Sequence, residues 1–164
     1  MRVFLPCLAA SLLMATVAVP TLAHAADVSV VAGRSMTTEQ RWTTSAFVNI
    51  GADRTYDWKG LHFQPVGTVG WIKGRRSQLE RLNHNVYVAG GGMRLVNWWH
   101  GAFVSFQVGV TNGRTYALSS TGEFISSAGW MGKHWVVMVR HISNGNVFPG
   151  KNLGETMALV GVRF

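Results

Sequence analysis

The sequence predicts an all-β protein, an eight-stranded antiparallel transmembrane β-barrel. Three observations predict it. Apolar and polar residues alternate in eight stretches, each of about ten residues, the length of a tilted membrane-crossing strand. The chain is 48% hydrophobic with positive mean hydropathy, yet past its N-terminal segment it has no run of about 18 apolar residues that could cross as a helix. All seven tryptophans fall at the ends of the alternating stretches. A closed barrel is the other way to satisfy every backbone polar group in hydrocarbon. Composition and alternation also fit a soluble β-sandwich with a large core. The tryptophans favour the barrel, because indole prefers the membrane interface and a sandwich core is expected to take at least one mid-strand.

Residues 1–25 read as a cleaved signal peptide and 26–164 as the barrel. Arg2 is a basic start, Leu5 to Val19 is apolar, and Ala23-His24-Ala25 has the small-x-small form of a cleavage site. Cys7, the one cysteine, leaves with that segment. A mature chain without thiols has no disulfide, Cys-ligated metal or Cys nucleophile.

The elements follow in order. Val28, Val30 and Ala32 alternate with Ser29 and Gly33, and Trp42 to Ile50 alternates with Thr43, Ser45 and Asn49. Leu61 to Trp71 and Tyr87 to Leu95 are the third and fourth runs. Ala102, Val104, Phe106, Val108 and Val110 make the clearest run, and Phe124 to Trp130 a weaker one. Trp135 to Ser143 and Ala158 to Phe164 are the last two. Turns at 51–59, 97–101 and 131–133 alternate with longer loops at 34–41, 73–85, 112–122 and 144–154. Short connections on one side and long ones on the other are the habit of outer-membrane barrels.

The chemistry gathers in the last two runs. A strand returns a side chain to the same face every second residue, so His141 and Ser143 are neighbours, with Cα atoms about 7 Å apart. Serine becomes a nucleophile when an imidazole takes its proton, and a carboxylate that fixes the imidazole tautomer completes such a set. Glu155 is the nearest acid in the chain. The parity shared with Val137 and Val139 turns His141 and Ser143 toward lipid, while Arg140 belongs to the lumen. A polar set on a lipid face is costly, and a lipid substrate is a reason for it. A hairpin pairing His141 with Glu155 would give Glu155 and Phe164 opposite parity. Facing both outward then requires a bulge near Thr156, or Glu155 in the loop ahead of the strand.

His141-Ile142-Ser143-Asn144 followed by Glu155, in a signal-bearing eight-strand pattern with a terminal Phe164, resembles the outer-membrane lipid A 3-O-deacylases (PagL-like). The resemblance implies a cofactor-free esterase with a catalytic triad of Ser143, His141 and Glu155, releasing a 3-hydroxy fatty acid from position 3 of lipid A. It implies oxyanion stabilisation near Asn144. The second Asn of such enzymes follows a Pro, but here Pro149 is followed by Gly150, and Asn152 is the nearest candidate. The expected partners are lipopolysaccharide and the outer membrane, with a homodimer as a further expectation.

The bland reading of His141 and Ser143 is a pair of polar rim residues on a non-catalytic structural or adhesive barrel. An outer-membrane phospholipase is a third reading. His62, His100 and His134 lack an acid or serine at matching spacing, and no histidines lie at metal-ligand spacing, so no metal is expected. Glu123, Arg94, Arg140 and Arg163 are expected to form a buried charge network in the lumen. The formal charge of +8 raises the question of nucleic acid. An exported barrel meets lipopolysaccharide phosphates instead, and Lys73, Arg75, Arg76 and Arg81 form the one basic cluster, a candidate contact for the substrate head group or simply a solvated loop.

Overall fold

A computed structural model describes residues 27–39, 41–76, 82–147 and 152–164. The predicted signal peptide and Arg81 lie outside the described residues. The strands are Asp27–Met36 (β1), Trp42–Gly51 (β2), Tyr56–Trp58 (β3), Leu61–Ile72 (β4), Val86–Val96 (β5), Ala102–Asn112 (β6), Gly122–Met131 (β7), Trp135–Ser143 (β8) and Glu155–Arg163 (β9). Every neighbouring pair is antiparallel. β1 lies between β2 and β9, and β2 pairs with β4, so the eight long strands close into a ring. Closure leaves no unpaired edge among the long strands.

The region 51–59, read from sequence as a long turn, contains β3, a three-residue strand that pairs with the start of β4 outside the ring. Lys59 and Gly60 both take positive φ (50° and 80°), the requirement of a tight type I′ hairpin turn. His100 and Gly101 repeat the device between β5 and β6, with Ala102 N–H donating to Trp99 O at 2.7 Å. These turns share an end with Asp27, the first described residue, and with Phe164, whose N–H donates to Val28 O at 2.9 Å. The described parts of the longer connections, within 73–85, 113–121 and 144–154, are at the other end with those of 37–41.

Alternation in sequence becomes alternation between wall and lumen. Along β8, Trp135, Val137, Val139 and His141 are exposed, while Val136, Met138, Arg140 and Ile142 are buried. Val104, Phe106, Val108 and Val110 of β6 and Val160 and Val162 of β9 complete an apolar outer wall. Six of the seven tryptophans are exposed, and Trp71 is half-buried close to the end of β4.

The lumen is filled by side chains, as expected for eight strands. It is less polar than the alternation predicted. Val31, Phe47, Val66, Ile125, Val136, Met138 and Leu159 are buried there beside polar groups. Glycines on the inner face make the room: a Cβ on Gly70 would fall inside the Phe47 ring, and one on Gly90 would meet Ile125 Cδ1 at 2.7 Å. The charged residues expected to form one network are divided. At the terminal end Asp27 accepts from Arg163 Nε at 2.6 Å and pairs with Arg94, which also donates to Gln64 Oε1 at 2.6 Å. At mid-height Arg140 donates to Asn49 Oδ1 (2.7 Å) and Ser127 Oγ (3.0 Å), its guanidinium 4.6 Å from the Phe47 ring centre. Glu123 stands apart near the other end with Ser120. These charged groups stand at different levels, because each carboxylate or guanidinium is fixed by its own strand position.

Gly70→Ala is therefore expected to destabilise the barrel by about 1–3 kcal/mol through overpacking against Phe47. Gly70→Ala with Phe47→Leu should recover most of the loss. Urea unfolding midpoints of the single and double variants in detergent check this, and additive losses would place the ring elsewhere.

Candidate active site

β7, β8 and β9 lie side by side, and their unbulged registers set the site. Ser126 is opposite His141, and His141 is opposite Thr156. Directly cross-strand residues on one face have Cβ atoms about 4.5–5.5 Å apart. These three make a polar row on the outer wall. Ser143 lies two residues further along β8, opposite Phe124, which stacks on Phe106 with ring centres 5.7 Å apart.

Below the polar row the wall becomes apolar and shallow. Ala128 pairs with Val139 and Val139 with Ala158; in the next row Trp130 pairs with Val137 and Val137 with Val160. The two alanines leave a trough between larger side chains, a groove of about 320 Å³ lined by both rows. The groove spans the rows of Val139 and Val137, and His141 stands one row above it on the same face of β8. Trp130, held edge-on against Trp99 at 6.3 Å, stands at its far end.

His141 is held on two sides. Its Nδ1 lies 2.9 Å from Thr156 Oγ1. Its ring passes so close to Gly154 that a Cβ there would approach Cε1 to 2.7 Å and Nε2 to 3.1 Å. Gly154 has φ of +66°, which suits glycine, and its N–H donates to Ala117 O at 2.9 Å while Leu153 N–H donates to Tyr116 O at 3.1 Å. The loop after β6 thus pins the residue that roofs the imidazole.

The structure does not bring Glu155 to His141. The β8–β9 register is one residue away from the pairing that joins them: Ile142 faces Glu155, and His141 faces Thr156. A one-residue shift moves a side chain to the other face. Glu155 is buried on the lumen side, accepting from Ser35 Oγ and forming an ion pair with Arg75. No bulge intervenes, so Thr156 shares the outward parity of Phe164. The tension in the sequence is resolved by the apolar face of β9, which keeps Ala158, Val160 and Val162 outside and takes Glu155 in.

Asn144 and Asn152, the candidate oxyanion donors, are used within the loop. Asn144 is fully buried; its Nδ2 donates to Ser119 Oγ at 3.2 Å, and its Oδ1 accepts from Asn146 N–H and from Asn152 Nδ2. Asn152 Oδ1 in turn accepts from Gly154 N–H at 3.3 Å. Gly145 and Asn146 both have positive φ, and Val147 N–H donates to Asn144 O at 3.1 Å, a type I′ turn immediately after Ser143.

The basic cluster is divided too. Lys73 and Arg76 are exposed at the end of β4. Arg75 turns inward, with its side chain 9% exposed, and reaches Glu155 and Arg41 O. Burial lowers its pKa to about 10, so at neutral pH it remains a cation beside a carboxylate. Arg75 is thus not available to a head group. His62, read from sequence as lacking an acid, has Nδ1 2.5 Å from Asp57 of β3, at the terminal end and far along the barrel from Ser143.

Thr156, Ser126 and Gly154 were not singled out by sequence reasoning. The signal for Thr156 was its parity with Phe164; that for Ser126 required the β7–β8 register, which no local pattern supplies. Compared with known proteins, the chain matches no family model, no curated protein and no solved structure.

Removing one member of the buried Glu155–Arg75 pair leaves the other charge uncompensated, typically at about 3–5 kcal/mol. Glu155→Ala is expected to lower the unfolding midpoint strongly. Glu155→Leu combined with Arg75→Met should be markedly milder than either alone. Equal losses in single and double variants would mean that the two groups are not a pair.

Proposed function

We propose that the chain is an outer-membrane esterase that removes the 3-O-linked 3-hydroxyacyl chain of lipid A, with Ser143 as nucleophile and His141 as base. One observation carries the reading. A histidine and a serine on the same face of one strand stand on the apolar outer wall of a closed barrel, directly above an apolar groove that leads along the wall. A water-soluble substrate has no use for a site on that surface. An ester whose acyl chain already lies in hydrocarbon reaches it laterally. The sequence resemblance in His141-Ile142-Ser143-Asn144 supports the same substrate class.

In this reading the end carrying the long connections faces outward, and the termini face the periplasm. The acyl chain lies over Val139, between Ala128 and Ala158. The ester carbonyl sits at the polar row. Ser143 Oγ attacks it while His141 Nε2 takes the hydroxyl proton. The tetrahedral intermediate expels the sugar oxygen, which receives that proton from His141. Water, deprotonated by His141, then releases the fatty acid from Ser143. Asn144 and Asn152 serve this chemistry by fixing the turn after Ser143. Glu155 serves it from the lumen side, by anchoring the start of β9. Lys73 and Arg76 are the basic residues placed to meet lipid A phosphates.

Mass spectrometry of lipid A from cells expressing the chain tests the reading. Loss of one 3-hydroxyacyl chain is expected. Ser143→Ala and His141→Ala should each reduce it by about a thousandfold or more while the barrel still shows heat-modifiable gel migration. A folded Ser143→Ala protein with full activity would rule out the nucleophile. Phospholipid cleavage with intact lipid A would make the chain a phospholipase, and cleavage of neither a non-catalytic barrel.

Filling the groove gives a separate check. Ala158→Trp is expected to lower kcat/KM on lipid A by about tenfold or more, because acyl-chain contacts remote from the ester contribute to the rate. Hydrolysis of a short soluble ester should be little changed. An equal fall on both esters would place the acyl chain elsewhere.

A further inference from the structure

Deepening the esterase reading, on which it rests, we infer that Thr156 is the group that orients His141, in the place a carboxylate takes in Ser-His-Asp and Ser-His-Glu sets. The argument is geometric. His141 has cross-strand neighbours on its own face from β7 and β9 only. Among the described residues, β7 offers Ser126 opposite, with Phe124 and Ala128 to either side, and β9 offers Thr156 opposite, with Ala158 beyond it and Gly154 just ahead of the strand. None of these is ionisable. The hydrogen-bonding contact is Thr156 Oγ1 to Nδ1, at 2.9 Å.

A threonine hydroxyl can donate or accept at this distance, and the role of His141 as base assigns it the acceptor's part. A general base accepts through an unprotonated nitrogen, and the neutral imidazole carries its proton on the other. With Nδ1–H donating to Thr156 Oγ1, Nε2 is left with its lone pair. Gly154 leaves open the space beside Nε2 that any side chain would fill. A hydroxyl does this without placing a second charge on a wall that faces hydrocarbon, where an ionised carboxylate would be costly. It also stabilises the imidazolium less than a carboxylate would, so a slower base is the consequence.

Thr156 is held in place from the other side of the strand. Its neighbour Glu155 points into the lumen and is tied to Ser35 of β1 and Arg75 of the loop after β4. A residue at the start of a strand would otherwise be free to fray. The buried ion pair fixes the backbone at 155, and the period of two then fixes the hydroxyl at 156 on the wall. Thr156 is accordingly a positioning residue, and Glu155 acts one step behind it.

The test joins a spectroscopic readout, independent of catalysis, to a kinetic one. Protein labelled with ¹⁵N-histidine is studied in detergent micelles, and the His141 signals are assigned by their loss in His141→Gln. In the parent, at a pH where His141 is neutral, Nδ1 is expected to be protonated and Nε2 not. Thr156→Val should shift the population toward Nε2–H, and Thr156→Ser should restore it. On lipid A, Thr156→Val is expected to lower kcat by about 10- to 100-fold with KM little changed, less than loss of the base itself. Thr156→Ser should recover most of the rate. Thr156→Asp adds a negative charge beside the imidazole. It favours the protonated form, so the acid limb of the pH–rate profile should move to higher pH, by about one unit or more.

A parent His141 protonated at Nε2, or a tautomer balance unchanged by Thr156→Val in a folded barrel, overturns the inference whatever the activity. So does a Thr156→Val enzyme with the parent kcat while Ser143→Ala is inactive. Parent protein that leaves lipid A intact, but shows the expected tautomer and its loss in Thr156→Val, would instead sink the substrate reading and retain the role of Thr156.

Discussion

Closure of the strand ring without a bulge beside the site is the constraint on which this molecule depends. Once β1 is paired with both β2 and β9, and β2 with β4, the register of every strand is tied to that of its neighbours. Parity then becomes destiny for each side chain: odd residues of β8 meet the outside and even residues the lumen. The same rule places Val137, Val139, His141 and Ser143 together and sends Arg140 inward to Asn49 and Ser127. A single slip between β8 and β9 would exchange the roles of Glu155 and Thr156. The ring resists such a slip because it would drive Ala158, Val160 and Val162 into a filled interior.

The lumen is a support for the wall, and the outer-end cluster links the two. Ser35, Arg75 and Glu155 join β1, the loop after β4 and β9 across the mouth of the barrel. Leu82, Ala117 and Leu118, from the same group of connections, are buried with Ile72, Val86 and Ile142 in the core cluster. These described parts of the long connections therefore pack onto the barrel end. One of them presents Ala117 O to Gly154 N–H and so roofs the imidazole. A histidine on the outer wall thus gains its geometry from residues on the far side of the same strands.

Much of the architecture was legible because a strand's period of two is a local property. The runs at 102–110 and 135–143 are strands at nearly those bounds, Ala102–Asn112 and Trp135–Ser143. The tight turns at Lys59-Gly60 and His100-Gly101 fall in or beside the gaps between the alternating runs, although β3 itself was hidden inside what looked like one turn. The outward position of His141 and Ser143 was legible in their parity with two valines. Arg75 was misplaced because a basic residue in a polar loop looks the same whether it meets solvent or a buried carboxylate from the far side of the ring.

The sequence by itself determined the fold class, the number of long strands, which end bears the long connections, and the face that His141 and Ser143 share. These rest on alternation and turn chemistry, which act between residues close in the chain. Only the tertiary structure decided which residue stands opposite His141, where the charge of Glu155 goes, and that Ala128 and Ala158 leave a groove beneath the polar row. Each of those depends on the register between strands. Register is fixed by the simultaneous burial of one face and exposure of the other around a closed ring, and no single stretch of sequence carries that information.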